Sequence, residues 1–150
     1  MKILLAVDGS EYSAAAAEAV AARPWPSGTT VRVLSAVERV VPPAAEIWYD
    51  AGGSLERTRQ ELTKHADQLT AGVAETLRAA GLTAKAAVRD GDPRSVIVDE
   101  AEAWDADLIV VGSHGYTGLK RWLLGSVAQS VVGHAPCSVE VVRRKEAGKP

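Results

Sequence analysis

The sequence predicts an α/β domain, a parallel β-sheet covered by helices on both faces, and three observations lead there. Short apolar runs without polar alternation, "KILLAV" and "DLIVVG", suit strands buried on both faces. Segments with helical character separate the runs, so strands are joined by right-handed crossovers. At 150 residues, without repeat or low-complexity linker, the chain has the size of one domain with one core, taken here as 1–145 with a tail at 146–150.

Lys2–Val7 is the first strand and runs into "DGS", a turn signal. Ser10 is placed to cap an Ala-rich helix, Glu11–Ala22, which "RPWPSG" closes. Thr30–Glu38, rich in β-branched residues, is the second strand. A loop of roughly fifteen residues follows, long for a βα connection. Its Trp48 and Tyr49 suit a lid, a partner surface or a local packing cluster. In Leu55–Ala80 the residues Leu62, Ala66, Leu69, Val73, Leu77 and Ala80 recur at helical spacing and make one apolar stripe. His65 falls on its solvated side.

Ala84–Arg89 is the third strand. Asp92 then caps a helix with Pro93 at its first position, and Ile97, Ala101 and Trp104 share one face. "DLIVVG" gives the fourth strand. Ser126–Val132 is a short helix that Gly133 stops, with His134 near its end, and Ser138–Val142 is the fifth strand. In open sheets of this kind a ligand sits beyond the carboxyl ends of the strands, where the winding reverses. "VDGS" and "VVGSHG" are two such ends, and adjacent strands would set Asp8 and Gly112 on one crevice.

Composition narrows the function. Seventeen Lys and Arg against nineteen Asp and Glu give a net charge of -2, which argues against a general nucleic-acid binder. No apolar run approaches a membrane span, and Asp8 interrupts the N-terminal apolar stretch too early for a signal peptide. The single cysteine, Cys137, has no partner for an internal disulfide, so a reducing cytoplasm is the expected compartment. A buried, inert thiol is favoured there over a nucleophile. His65, His114 and His134 have no metal-ligand spacing with one another or with Cys137. Ser10 and Ser113 lack the context of a hydrolase nucleophile, so no catalytic residue is assigned.

The chemistry concentrates in "VVGSHGYTGLKRWLLGSVAQSVVGHAP", Val110–Pro136, with five glycines after a buried strand. Glycine at a strand exit lets backbone N–H groups approach a ligand, and a following helix start favours an anion. Ser126 adds a hydroxyl there, and Lys120 and Arg121 lie nearby in the sequence. Each residue also has a structural reading. Ser126-Val127-Ala128-Gln129 fits a capping box, Gly118 a turn, and Asp8 a cap on the turn before the first helix. His114 serves either a phosphate or the positioning of its loop. Neither a P-loop nor a G-x-G-x-x-G fingerprint is present.

Gly112, Gly115, Gly125 and Ser126 fit G-x2-G-x9-G-[ST], which resembles the ATP-binding signature of the universal stress protein family. The similarity extends to "ILLAVDGSEYS", "VRVLSAV", "GDP", "ADLIVVGSHG" and "LLGSVAQSVVGHAPCSVEVVR". This resemblance implies a Rossmann-like, doubly wound five-stranded parallel sheet of order 3-2-1-4-5. It implies ATP as ligand, or ADP, AMP or cyclic AMP, with Mg²⁺ accompanying the nucleotide. Asp8 would contact the ribose hydroxyls, the backbone of Ala36 the adenine edge, and Val7 and Val111 the cleft walls. Gly112 would sit by the ribose, with Gly115, Gly125, Ser126 and Val127 at the phosphates. It also implies a homodimer paired through the last strand, 138–142, which a charged Glu140 would weaken. Tyr116, Ser138 and Glu140 depart from the family's usual residues, and Tyr116 is placed to stack on or shield the phosphates.

The expected role is a cytoplasmic nucleotide-binding regulator of stress responses. A slow ATPase or nucleotidyl transferase is the enzymatic alternative, and an interaction module without nucleotide is the other. A flavin-binding flavodoxin-like domain is disfavoured, because the glycine loop follows strand four rather than strand one.

Overall fold

The computed structural model of the chain describes residues 1–39, 53–116 and 123–145. Its elements alternate: β1 (Lys2–Ala6), α1 (Glu11–Ala22), β2 (Thr30–Val37), α2 (Ser54–Ala79), β3 (Thr83–Asp90), α3 (Pro93–Trp104), β4 (Leu108–Gly112), α4 (Ser126–His134) and β5 (Ser138–Val142). The five strands form one sheet of order β3-β2-β1-β4-β5, with all pairings parallel. Winding runs outward from β1 to β3, returns through α3 to β4 beside β1, and ends at β5. The reversal lies between β1 and β4, where Ile3 pairs with Leu108 and Leu5 with Val110.

The continuous apolar runs are explained by two cores, one on each face. Ile3, Leu5, Val31, Val33 and Val110 pack with Ala16 and Val20 of α1 and Ala74 and Leu77 of α2. Leu4, Leu34, Ile109 and Val111 pack with Ile97 and Ala101 of α3 and Ala128 and Val131 of α4. A strand with helices on both sides has no face left for polar residues.

Local signals place the helix starts. The Ser10 hydroxyl accepts the N–H of Ser13 at 3.2 Å, and Asp92 accepts that of Arg94 at 2.9 Å with Pro93 in the first turn. Two expectations fail at the helix ends. Gly133 does not stop α4, which continues through His134; the cap is Ala135, at φ -61 and ψ 140. Pro136 disfavours the helical region for the residue before it, and this ends the helix. Ser126 is not the N-cap of α4 either: Gly125 is, without a side-chain cap, so the S-x-x-Q capping box is not formed. β2 ends at Val37, one residue earlier than expected.

The stripe of α2 is also rotated and shortened. Its buried line is Ala66, Thr70, Ala74 and Leu77, while Leu69 and Val73 are half-buried and Leu62 is 42% exposed. A helix of 26 residues is about 39 Å long, and an eight-residue strand only about 26 Å. The first turns of α2 therefore reach past the sheet. Thr70 is tolerated in the buried line because its hydroxyl donates to the Ala66 carbonyl at 2.9 Å.

Charged groups fasten the outer layers. Glu100 of α3, 8% exposed, accepts from Arg32 at 2.7 Å and twice from Arg89 at 3.1 Å, and the Arg32 guanidinium stacks 4.4 Å from the Trp104 ring. Glu100→Ala is expected to cost about 1–2 kcal/mol. Removing one partner from a buried ion pair costs more, about 3–5 kcal/mol, but the arginines are 27% and 49% exposed and water can take up their donors. Chemical denaturation measures it. On edge strand β5, Glu140 is not a free charge guarding the edge: its carboxylate forms a two-point pair with Arg23 at the end of α1. Cys137, just before β5, is partly buried, and burial raises its thiol pKa above the ordinary value.

Candidate nucleotide-binding cleft

A cleft of about 600 Å³ opens at the carboxyl ends of the strands, at the reversal between β1 and β4. Apolar side chains on the α3 and α4 side of the sheet, Leu34, Ile97, Val111 and Ala128, make its floor. All nine residues expected at the site border it: Val7, Asp8, Ala36, Val111, Gly112, Gly115, Gly125, Ser126 and Val127.

Asp8 begins the β1–α1 turn. Its Oδ1 accepts the Ser10 N–H at 2.8 Å, its own N–H donates to the Ser13 hydroxyl at 3.3 Å, and Gly9 follows at φ 83. The structural reading of Asp8 is therefore real, and it occupies only one oxygen. Oδ2 takes no hydrogen bond among the described residues and lies 2.9 Å from where a Cβ on Gly115 would stand.

The start of α4 supplies donors. In an α-helix the N-cap and the next three residues have no intrahelical acceptor for their N–H groups. Gly125 N–H donates to the Ser113 carbonyl at 2.8 Å, which leaves Ser126, Val127 and Ala128. With Gly125 as cap, the exposed Ser126 hydroxyl is not spent on its own helix. These groups and the helix dipole make an anion-seeking end.

The glycines divide by what surrounds them. A Cβ on Gly112 would lie 2.7 Å from the Tyr12 carbonyl carbon and 3.0 Å from the Ser13 nitrogen, so this glycine lets α1 approach β4. A Cβ on Gly125 would meet the His114 Cα at 3.1 Å and the Ser113 carbonyl oxygen at 3.3 Å, so that glycine lets α4 approach the loop after β4. Of these three loop glycines, Gly115 has as its near neighbour a side-chain polar group of the cleft, Asp8 Oδ2. Gly118, Lys120 and Arg121 lie outside the described residues, as do Trp48 and Tyr49.

Several cleft residues carried no signal for a site in the sequence. Pro93 and Ile97 read as a helix start and a core position, yet both border the cleft because the α3 crossover returns over the sheet. Gln129, assigned to a capping box, borders it too. Tyr116 is 71% exposed, with its hydroxyl 2.6 Å from a Cβ position on Gly9; it leans across the β1–α1 turn. His65 is exposed on α2, and the His134 ring nitrogen lies 2.8 Å from the Ser130 carbonyl oxygen. Among the described residues no three His, Cys, Asp or Glu side chains form a metal-binding group, and no helix is long and apolar enough to cross a membrane.

Comparison with known proteins agrees with this architecture. The model of the universal stress protein family matches residues 1–143. A putative universal stress protein of Staphylococcus aureus strain USA300 is 34% identical over 150 residues, spanning 96% of this chain and 84% of that protein. Among solved structures, hypothetical protein MJ0577 aligns with a TM-score of 0.83 at 30% identity over 97% of each chain. Two more distant structures share the fold and hold ligands of their own. A universal stress protein family member from Arabidopsis thaliana has AMP bound (TM-score 0.72, 21% identity, 100% of this chain and 95% of that one). A universal stress protein in complex with cAMP gives 0.61 at 22% identity, over 95% and 96%.

Proposed function

Because the chain belongs to the universal stress protein family, we propose that it binds an adenine nucleotide, ATP with Mg²⁺, and acts as a cytoplasmic stress-response regulator. One observation carries this reading: a carboxylate oxygen and the first-turn amides of a helix, none with a partner among the described residues, border one apolar-floored cleft at the sheet's reversal. Its volume falls within the range of about 300–1,000 Å³ usual for small-ligand sites. The AMP and cAMP bound to two neighbours of the same fold support the adenine nucleotide class.

In this reading the floor of Leu34, Ile97 and Val111 takes the base, with the Ala36 backbone at its edge. Asp8 Oδ2 accepts from ribose hydroxyls. Gly115 and Gly125 allow the backbone close to the phosphates, and the amides of Ser126 and Val127 with the Ser126 hydroxyl hold them. Magnesium enters with the phosphates, keeping most of its water. The role is binding rather than turnover; phosphoryl transfer also needs an oriented nucleophile, and a nucleotide turnover assay decides between the two. A second copy is expected to pair with the open edge of β5. Arg23 offsets the Glu140 charge that would otherwise oppose it, and sedimentation reads the result.

Calorimetric titration with ATP, ADP, AMP and cAMP tests the binding. No heat with any of the four would overturn the proposal. Gly115→Ala is expected to weaken binding about tenfold while leaving the melting temperature unchanged. The new Cβ presses on the mobile end of a side chain, Asp8 Oδ2, and not on backbone.

A further inference from the structure

Strand β3 is the edge of the sheet opposite β5, and its main-chain groups point two ways. In a parallel ladder the N–H and C=O of one residue bond to one neighbouring strand, and those of the next residue point to the other side. The Gly91 N–H donates to the Val37 carbonyl of β2 at 2.9 Å. Odd-numbered residues of β3 therefore face β2, and Ala84, Ala86, Val88 and Asp90 face outward. Two side chains already sit on this outward row: Arg78 Nε donates to the Ala84 carbonyl at 2.9 Å, and Arg89 to the Val88 carbonyl at 3.0 Å. The N–H and C=O of Ala86 and the N–H of Val88 have no partner among the described residues.

The side chains alternate as well. Ala84 packs in the core beneath α1 and α2, and Ala87 in the core beneath α3, so Lys85 and Arg89 lie on the α3 face. The register extends this row across the sheet: Arg32 pairs with Lys85 and with Leu4, and Lys2 lies on the Leu4 side of β1. Lys2 Nζ donates to the Trp104 carbonyl at 3.1 Å. These four cations share the carboxylate of Glu100, which pairs with Arg32 and Arg89; Asp107 accepts the main-chain N–H of Lys2 at 2.7 Å. Lys85 is exposed, without an ion pair or hydrogen bond among the described residues. A chain of net charge -2 thus carries a cationic row beside an open edge.

We propose that the β3 edge is a docking surface for an acidic extended peptide, which adds as a further strand with its carboxylates over Lys85 and Arg89. The main chain identifies an extended peptide: the paired N–H and C=O of Ala86 match another strand's backbone, which a nucleic acid lacks. Charge identifies its side chains. Lys85 and Arg89 are four residues apart, about 13 Å along the strand, so the partner carries acidic residues at i and i+4. A second copy of this chain is unsuited, because its own Lys85 and Arg89 would meet these on one face, and like charges across a strand pair are destabilising. Lysine on an edge strand repels such copies, and the same charge attracts an acidic strand.

The test uses the full ¹⁵N-labelled chain and two synthetic peptides, one alternating Glu with Thr and the other Lys with Thr. The Glu peptide is expected to slow hydrogen exchange at the Ala86 and Val88 amides about tenfold, with the Lys85 and Ala87 amides, already bonded to β2, unchanged. The Lys peptide should leave all four unchanged. By fluorescence anisotropy, Lys85→Glu and Ala86→Pro should each weaken binding of the Glu peptide about tenfold. Proline at 86 removes an outward N–H and no bond of the sheet; Lys85→Glu alters an exposed side chain and keeps the test valid if the proline variant misfolds. No binding of the Glu peptide, or protection away from β3, would overturn the proposal. Folded Ala86→Pro that binds as tightly as wild type would also overturn it, since charge alone would then hold the peptide. Oligothymidylate that binds the row more tightly than the Glu peptide would assign it to nucleic acid instead.

Discussion

Gly112→Ala is expected to destabilise the protein by about 3 kcal/mol, the upper end of the cost of overfilling a well-packed interior. Residue 112 looks as if it were bare for the sake of a ligand, since it sits at the exit of β4 within a glycine-rich loop and borders the cleft. The structure points its absent side chain the other way. Along a strand successive residues face opposite sides. Val111 belongs to the core beneath α3 and α4 that floors the cleft, so Gly112 faces α1. There a Cβ would stand 2.7 Å from the Tyr12 carbonyl carbon and 2.8 Å from its oxygen. No rotamer change relieves a clash with helix backbone. Relief requires α1 to move off the sheet, where it buries Ser13, Ala16 and Val20. At about 2–4 °C per kcal/mol for a chain of this size, the melting temperature should fall by roughly 6–12 °C. Thermal unfolding followed by circular dichroism measures it, and a variant that melts within a degree or two of wild type would refute the packing assignment.

Gly112 also shows how far the sequence could be read. The strands were legible because burial on both faces removes polar alternation, and β1 and β4 display that directly in "KILLAV" and "DLIVVG". The starts of α1 and α3 were legible because a cap is a local bond, as Ser10 and Asp92 show. What escaped depends on groups distant in sequence. Glu140 reads as an unpaired charge until the fold brings Arg23 to it across 117 positions. The Ser126 capping box failed because Gly125, whose N–H donates to the Ser113 carbonyl, takes the N-cap position and leaves Ser126 as the first helical residue. The end of α4 was a local miss: Pro136, constraining Ala135, outranked the glycine at 133.

The candidate site was legible on the same terms. The glycine spacing and "VDGS" marked both strand ends, and the family's strand order placed them side by side. The α3 wall of Pro93 and Ile97 had no signal of its own, since a crossover helix looks the same whether or not its edge borders a cleft. His114 remained ambiguous because a neighbour-to-neighbour bond to Ser113 and a stranded Nε2 are facts of three-dimensional placement.

Asp8→Asn is expected to lower nucleotide affinity by about ten- to a hundredfold while leaving thermal stability near that of wild type. The two carboxylate oxygens do different work, and this substitution separates them. Oδ1 closes the turn onto the Ser10 N–H at 2.8 Å; asparagine keeps a carbonyl oxygen for that bond and is among the residues favoured in such turns. Oδ2 faces the Gly115 side of the cleft without a partner among the described residues. Exchange for an amide nitrogen turns that acceptor into a donor and removes the charge. A hydrogen bond to an ionised group is worth about 1.5–3 kcal/mol, which corresponds to the stated loss of affinity. Asp8→Ala removes both oxygens, so it should lose the binding and also lower the melting temperature. If Asp8→Asn binds ATP as tightly as wild type, the carboxylate has no part in holding the ligand. If it melts as early as Asp8→Ala, the charge rather than the carbonyl geometry secures the turn. Full stability combined with lost binding is the outcome that assigns one oxygen to the fold and the other to the nucleotide.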